Sequence, residues 1–230
     1  MLEVSRNIQD EITSIGIPEK ARWLENYIKH QVKSKGVGIP EIRKILLRAN
    51  KQFQLMDRSV QHQIEILNDL MLQEYAEDKL AAILYLQLFW KGTNEEITLE
   101  LVSNWFDEGL ITDWNICDWL CVRILSPMVD NMAEITLLEL SQWNNNKNLW
   151  KARASLVPFA QSKTIAKHTE MIKEFSTVLI KREERFCKTA VGWVLREYSK
   201  VDSNLVTTFL EEHKDWVTKE VGKNATKYLS

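Results

Sequence analysis

Residues 78–86 read Asp-Lys-Leu-Ala-Ala-Ile-Leu-Tyr-Leu, and segments of the same character return at intervals of 36 residues. They are Trp-Asn-Ile-Cys-Asp-Trp-Leu-Cys-Val from Trp114, Trp-Lys-Ala-Arg-Ala-Ser-Leu-Val-Pro from Trp150 and Phe-Cys-Lys-Thr-Ala-Val-Gly-Trp-Val from Phe186. Four positions after the first residue of each stand Ala82, Asp118, Ala154 and Ala190; six positions after it stand Leu84, Leu120, Leu156 and Gly192. A weaker fifth copy begins near Ile42. A fixed period of this length is the signature of stacked helix pairs, each burying its apolar face on the next. Outside these columns the repeat is degenerate, and chance pairing in a helical bundle is the competing account.

Around these segments the same periodicity continues. Apolar residues recur at helical spacing through Ala21–Val32, Ile39–Leu47, Val60–Leu72, Leu80–Trp90 and Ile97–Trp105. Breakers fall between the runs at Gly16-Ile-Pro18, Gly36 to Pro40, Lys91 to Asn94, Gly109, Pro127 and Asn144 to Asn146, with Pro18 and Pro40 placed for the first turn of a helix. Only 7 glycines and 4 prolines occur in 230 residues, too little punctuation for many short strands. The fold class is therefore all-α: a curved solenoid of HEAT-like helical repeats with a concave surface, in one domain over residues 1–230. Short connections make successive helices antiparallel neighbours.

The net charge of −2 hides a segmented distribution. Residues 18–51 balance at +6 and residues 143–230 again at +6, while residues 52–142 balance at −12. Two basic arms flank an acidic middle and could grip one polyanion, because phosphate contacts need local Lys and Arg rather than a positive whole. Ordinary solvated helix faces would give the same pattern. The 3 cysteines, Cys117, Cys121 and Cys187, have no metal-ligand spacing and fit reduced thiols, so no disulfide is expected. The four histidines lie apart, and no phosphate-binding glycine loop or serine-nucleophile elbow occurs, so neither a metal nor a nucleotide cofactor is expected. No leader pattern opens the chain and no apolar stretch is long enough to span a bilayer, which predicts a cytoplasmic protein without membrane attachment.

Within a repeat, function is sought where a residue departs from what stacking requires. Asp118 places a carboxylate where three sister copies have alanine, so its slot must face a cavity, a partner or solvent. Trp114 precedes it by one helical turn, and Arg153 and Trp193 fall on the same stripe of the next two copies, at offsets three and seven. If the helices stack in parallel, these four converge on one surface. A structural ion pair between core tryptophans is the plainer reading. Ring faces flanking a carboxylate nevertheless suit a cation, whether a stable ligand or a charge that develops only in a transition state.

Taken together, these residues resemble a known family: the chain is similar to the AlkD-like DNA alkylation repair enzymes, DNA glycosylases built of HEAT-like repeats. The resemblance rests on Gly192-Trp-Val-Leu-Arg-Glu-Tyr198, on Trp114-x-x-x-Asp118, on Leu149-Trp-Lys-Ala-Arg-Ala154, and on Tyr27 followed by Gly36-Val-Gly-Ile-Pro-Glu-Ile-Arg43, in the family's order over nearly the whole chain. It implies a base excision repair enzyme that hydrolyses the N-glycosidic bond of cationic alkylpurines such as 3-methyladenine and 7-methylguanine in duplex DNA, leaving the base in the duplex. By resemblance, Asp118 stabilises the developing sugar cation and positions water, and Trp114 and Trp193 pack on sugar and backbone. Arg153 holds a phosphate, Arg196 is a second phosphate contact, and Tyr27 touches DNA from the N-terminal arm. The implied partner is duplex DNA with alkylated bases, with no cofactor, and a monomer suffices.

Departures from the family pattern matter as well. Gly38 and Ile39 stand where relatives often carry polar groups before Pro40, and the C-terminal basic set is thinned to Lys219, Lys223 and Lys227 around Asn224. Two other readings use the same basic arms: a non-catalytic HEAT-like module binding distorted or branched DNA, and a helical scaffold for acidic proteins.

Overall fold

The computed structural model describes residues 1–229. They form two compact units, residues 1–119 and 120–230, and among the described residues the regular structure is helical with a single isolated β-bridge between Lys33 and Tyr75. The first unit holds α1 (Glu3–Ser14), α2 (Pro18–Tyr27), α3 (Ile39–Phe53), α4 (Val60–Met71), α5 (Ala76–Tyr85), α6 (Glu95–Asp107) and α7 (Trp114–Leu120), whose last residue crosses the division. The second holds α8 (Ser126–Asn131), α9 (Ala133–Trp143), α10 (Leu149–Leu156), α11 (Thr169–Ile180), α12 (Arg185–Tyr198), α13 (Ser203–Glu212) and α14 (Lys219–Ala225).

Two kinds of packing run through each unit. Sequence neighbours pair, as α4 with α5 and α11 with α12, and alternate helices stack, as α1 on α3 on α5 and α10 on α12 on α14. That second relation is what a helix-pair repeat demands, because each pair covers the apolar face of the one before. In α3 the buried residues are Ile42, Ile45, Leu46 and Ala49, one helical stripe. The repeat columns behave accordingly: Ala82, Ala154 and Ala190, like Leu84, Leu120 and Leu156, are all 0% exposed. Only alanine-sized groups fit where one helix lies against the next.

The expected breakers separate helices except at Pro127, the second residue of α8. Proline offers no N–H and crowds the carbonyl four residues back. Here a π-helical turn over Cys121–Leu125 precedes it and widens the backbone, so the chain stays helical through the proline. The run Ala21–Val32, by contrast, is cut short at Tyr27. Lys29 and His30 both take left-handed backbone angles, φ 60° and 56°, and the His30 amide donates to the Glu25 carbonyl at 2.8 Å, wrapping up the end of α2. Two adjacent non-glycine residues in that region are costly and persist only where the surroundings impose them.

Those surroundings are organised by Glu77, near the start of α5 and 1% exposed. Its carboxylate accepts bonds from the Ser34 hydroxyl (2.7 Å) and from the backbone amides of Lys35 (2.8 Å), Gly36 (2.8 Å) and Val37 (3.2 Å). Beside it Asp78, also buried, takes the Lys35 ammonium on both oxygens at 2.9 Å; burial raises its pKa while the Lys35 bond and charge oppose that rise. Lys79, 6% exposed, donates to the Met71 and Leu110 carbonyls at 2.6 and 2.8 Å, and burial lowers its pKa. The pinned strand 33–37 in turn holds α2, none of whose residues is buried: the Ile17 amide donates to the Lys35 carbonyl at 3.0 Å, and Gly36, φ 76°, lies directly on the first turn of α2.

The three thiols are free and buried, and burial pushes Cys187 up to about 11. No helix among the described residues is long and apolar enough to cross a membrane. In the second unit, burial pushes the Asp130 carboxyl up, but the Ser162 hydroxyl (2.6 Å), the Lys163 amide (3.2 Å) and the Thr164 hydroxyl and amide (3.0 and 3.1 Å) outweigh it and hold the group below its ordinary value.

Replacing Gly36 by alanine puts a Cβ 2.1 Å from the Ile17 carbonyl oxygen at a positive φ, so Gly36→Ala destabilises by more than about 1 kcal/mol, read as a lower urea midpoint, and speeds amide exchange at Ile17. Asp130, holding its proton less tightly folded than unfolded, contributes stability at neutral pH that is lost as acid protonates it. Asp130→Asn therefore costs roughly 1–2 kcal/mol at neutral pH and shows a shallower further loss toward about pH 3 than the unmodified chain.

Candidate active site

The helix that carries Asp118 begins where it does because of the residue before it. Asp113, 0% exposed, uses one carboxylate oxygen to accept the Asn115 and Ile116 amides at 2.8 and 3.0 Å, the side-chain cap that starts α7 at Trp114. Ile116, Cys117 and Leu120 turn inward and are 0% exposed, which leaves Trp114 and Asp118, one turn apart, half-buried on the other side. The slot that holds alanine at 0% exposure in three sister copies is thus opened in this one.

Asp118 lies within electrostatic reach of a second, buried carboxylate. Burial raises the pKa of Asp113, its two amide bonds and the Lys79 charge lower it, and the Asp118 charge raises it again, so the two carboxylates feel one another. The second oxygen of Asp113 is buried without a hydrogen-bond partner. A carboxylate with a like-charged neighbour and low-dielectric surroundings gains by the approach of a positive group.

Tyr27, at the end of α2 and 55% exposed, meets Trp114 edge to face with ring centroids 5.2 Å apart. This brings the end of α2 to the helix of Asp118. Sequence reasoning missed Trp23, whose ring stacks on Tyr27 at 5.3 Å and 8° while remaining 65% exposed. The signal lay in their spacing of four on a helix, read there as ordinary core periodicity.

The remaining sequence-derived residues belong to the second unit. Arg153, on α10, is 4% exposed, and one guanidinium nitrogen donates to the Phe186 carbonyl at 2.6 Å and the Thr189 hydroxyl at 3.3 Å. Its immediate work is to tie α10 to the start of α12. Trp193, in the middle of α12, is half-buried, and its indole nitrogen is buried with no acceptor, a deficit of roughly 1–3 kcal/mol for such a group. The neighbouring Gly192 lets α14 approach, since a Cβ there would meet the Val221 backbone at 3.2 Å.

Arg196 is committed internally: to Glu197 at 2.8 and 2.9 Å and to Asn224 at 3.0 Å, with its guanidinium over the Tyr228 ring. Lys200 and Lys227 lie over the same ring at 4.6 and 5.8 Å, and Lys223 and Lys227 line an adjacent cleft of about 410 Å³ with Thr189 and Asn224. The cationic groups nearest the surface here are these lysines rather than Arg196. Among the described residues no three of His, Cys, Asp and Glu gather into a metal-binding group.

Comparison with known proteins completes the picture. No curated protein matches the sequence. A solved structure described as "Predicted DNA alkylation repair enzyme from Enterococcus faecalis" shares 22% identity over 94% of this chain and 97% of that one, with a TM-score of 0.75, and shows the same fold. Residues 8–229 match the family described as DNA alkylation repair enzyme, and with nearly the whole chain covered this protein belongs to that family.

Proposed function

We propose that the protein is a monofunctional DNA glycosylase, acting as a monomer in the cytoplasm on duplex DNA that carries cationic N-alkylpurines such as 3-methyladenine and 7-methylguanine. Family membership supports a role in DNA alkylation repair. The observation that carries the chemical reading is Asp118: a carboxylate in the opened alanine slot of α7, one turn from Trp114 and within electrostatic reach of Asp113.

The chemistry fits such a site. An alkylated purine already bears positive charge, so when the bond from C1′ to the purine nitrogen breaks, the electron pair neutralises the base and little general-acid help is needed. The charge passes to the deoxyribose as an oxocarbenium ion. Asp118 stabilises that ion and accepts a hydrogen bond from the attacking water, which loses a proton on adding to C1′ and leaves an abasic sugar. Trp114 presents a ring face whose quadrupole favours the same charge, and Trp193 supplies a second ring and a donor without an acceptor of its own. Tyr27 extends the surface on the side of α2. Arg153 would hold a phosphate while one guanidinium nitrogen stays on α12, and Arg196 would do so beside its bonds to Glu197 and Asn224. In this reading the base stays in the duplex, met by ring faces and charge.

Purified protein releases 7-methylguanine or 3-methyladenine from methylated duplex DNA, and Asp118→Asn lowers that release about a hundredfold or more while binding the same duplex within a few-fold of the unmodified protein. Excision unaffected by Asp118→Asn would remove the proposed role. Binding without release by either would leave a DNA-binding module for distorted or branched DNA.

A further inference from the structure

The helix α2 is unusual in burying none of its residues, yet it carries Trp23 and Tyr27 at 65% and 55% exposure. Aromatic rings ordinarily supply the largest apolar burial a helix has. Here they are stacked on each other in parallel, with centroids 5.3 Å apart, and the inner ring is capped edge-on by Trp114 at 5.2 Å. One face of Trp23 is covered by Tyr27, and its exposure leaves the other to solvent. The result is a short column of rings that ends in an open indole face.

The segment around that face is net positive. Residues 18–51 balance at +6, and the exposed Lys20, Arg22 and Lys29 lie within six positions of Trp23, Arg22 paired with the exposed Glu19 at 3.3 Å. Lys29 and His30 take left-handed backbone just past the end of α2, where the His30 amide donates to the Glu25 carbonyl at 2.8 Å. An exposed aromatic face among cations is how proteins hold a nucleobase irrespective of its identity: every base has a π-face, and the cations take the phosphates on either side.

We propose that the open face of Trp23 is a stacking platform for a nucleobase that has lost its place in the duplex, the base continuing the column Trp23–Tyr27 that leads to Trp114. The inference rests on DNA as the partner but is independent of the chemistry at Asp118. It gives the protein a grip on DNA whose stacking is already broken, in addition to the lesion contacts.

The test uses two duplexes of one sequence, one fully paired and one with a single unpaired 2-aminopurine. The intact protein binds the second about tenfold more tightly and quenches 2-aminopurine fluorescence on binding. In Trp23→Ala the affinity ratio falls to about one and the quench disappears, whereas Trp23→Tyr retains both. Far-UV circular dichroism melts of the three proteins coincide, because the side chain is exposed. A preference and quench that persist in Trp23→Ala would overturn the platform, as would a self-associated protein that Trp23→Ala converts to monomer with no change on either DNA. Loss of excision in Asp118→Asn with the Trp23 preference intact, or the reverse, tells which of the two proposals has failed; no binding to either duplex removes both.

Discussion

The N-terminal unit depends on one buried carboxylate. Glu77 is removed from water and its cost is met by a hydroxyl and three consecutive backbone amides, so the strand 33–37 has one place to lie. From that placement the rest follows in sequence. Segment 33–37 offers the Lys35 carbonyl to the start of α2, sets Gly36 against its first turn and gives the Ser34 amide to the Glu25 carboxylate at 2.9 Å, so that α2, with no buried residue of its own, is tied to it. The aromatic rings of α2 then reach the helix of Asp118. Charge burial, usually a doubtful source of stability, works here as a device for placing chain.

The same logic governs α7. A helix that must stack on its neighbours presents alanine at the closest approach, and three copies do so. The copy that does not begins with a capping aspartate, carries a carboxylate in the alanine column and borders on a buried lysine that spends its charge on carbonyls.

Much of this was legible in the sequence, for identifiable reasons. A 36-residue period is imposed by stacking, so the helix pairs, the small residues at 82, 154 and 190 and the deviation at Asp118 could all be read from columns. What a column cannot carry is context. Pro127 reads as a stop, but whether a proline ends a helix depends on the turn before it, and a π-turn absorbs this one. Ala21–Val32 has helical spacing to its end, yet the helix closes at Tyr27 and Lys29 and His30 take left-handed backbone, which a count of apolar spacings does not register. Arg153 and Arg196 also hold internal partners, and a carbonyl 33 residues away leaves no mark in a helical column. Trp23 was passed over because periodicity scores an aromatic as core whether or not anything covers it.

The burial of the thiols acquires a meaning from the family to which the chain belongs. Reagents that alkylate purines are electrophiles, and a cysteine thiolate is a better nucleophile toward them than any purine nitrogen. Cys117, Cys121 and Cys187 are all out of solvent, and with Cys187 pushed up to about 11 only about one molecule in ten thousand carries it as thiolate at neutral pH. Cys117 and Cys121 flank Asp118 on its own helical stretch, where a methyl adduct would force apart the packing that sets the carboxylate. The core of the fold thus also serves as chemical armour, letting the protein persist through the exposure that creates its work.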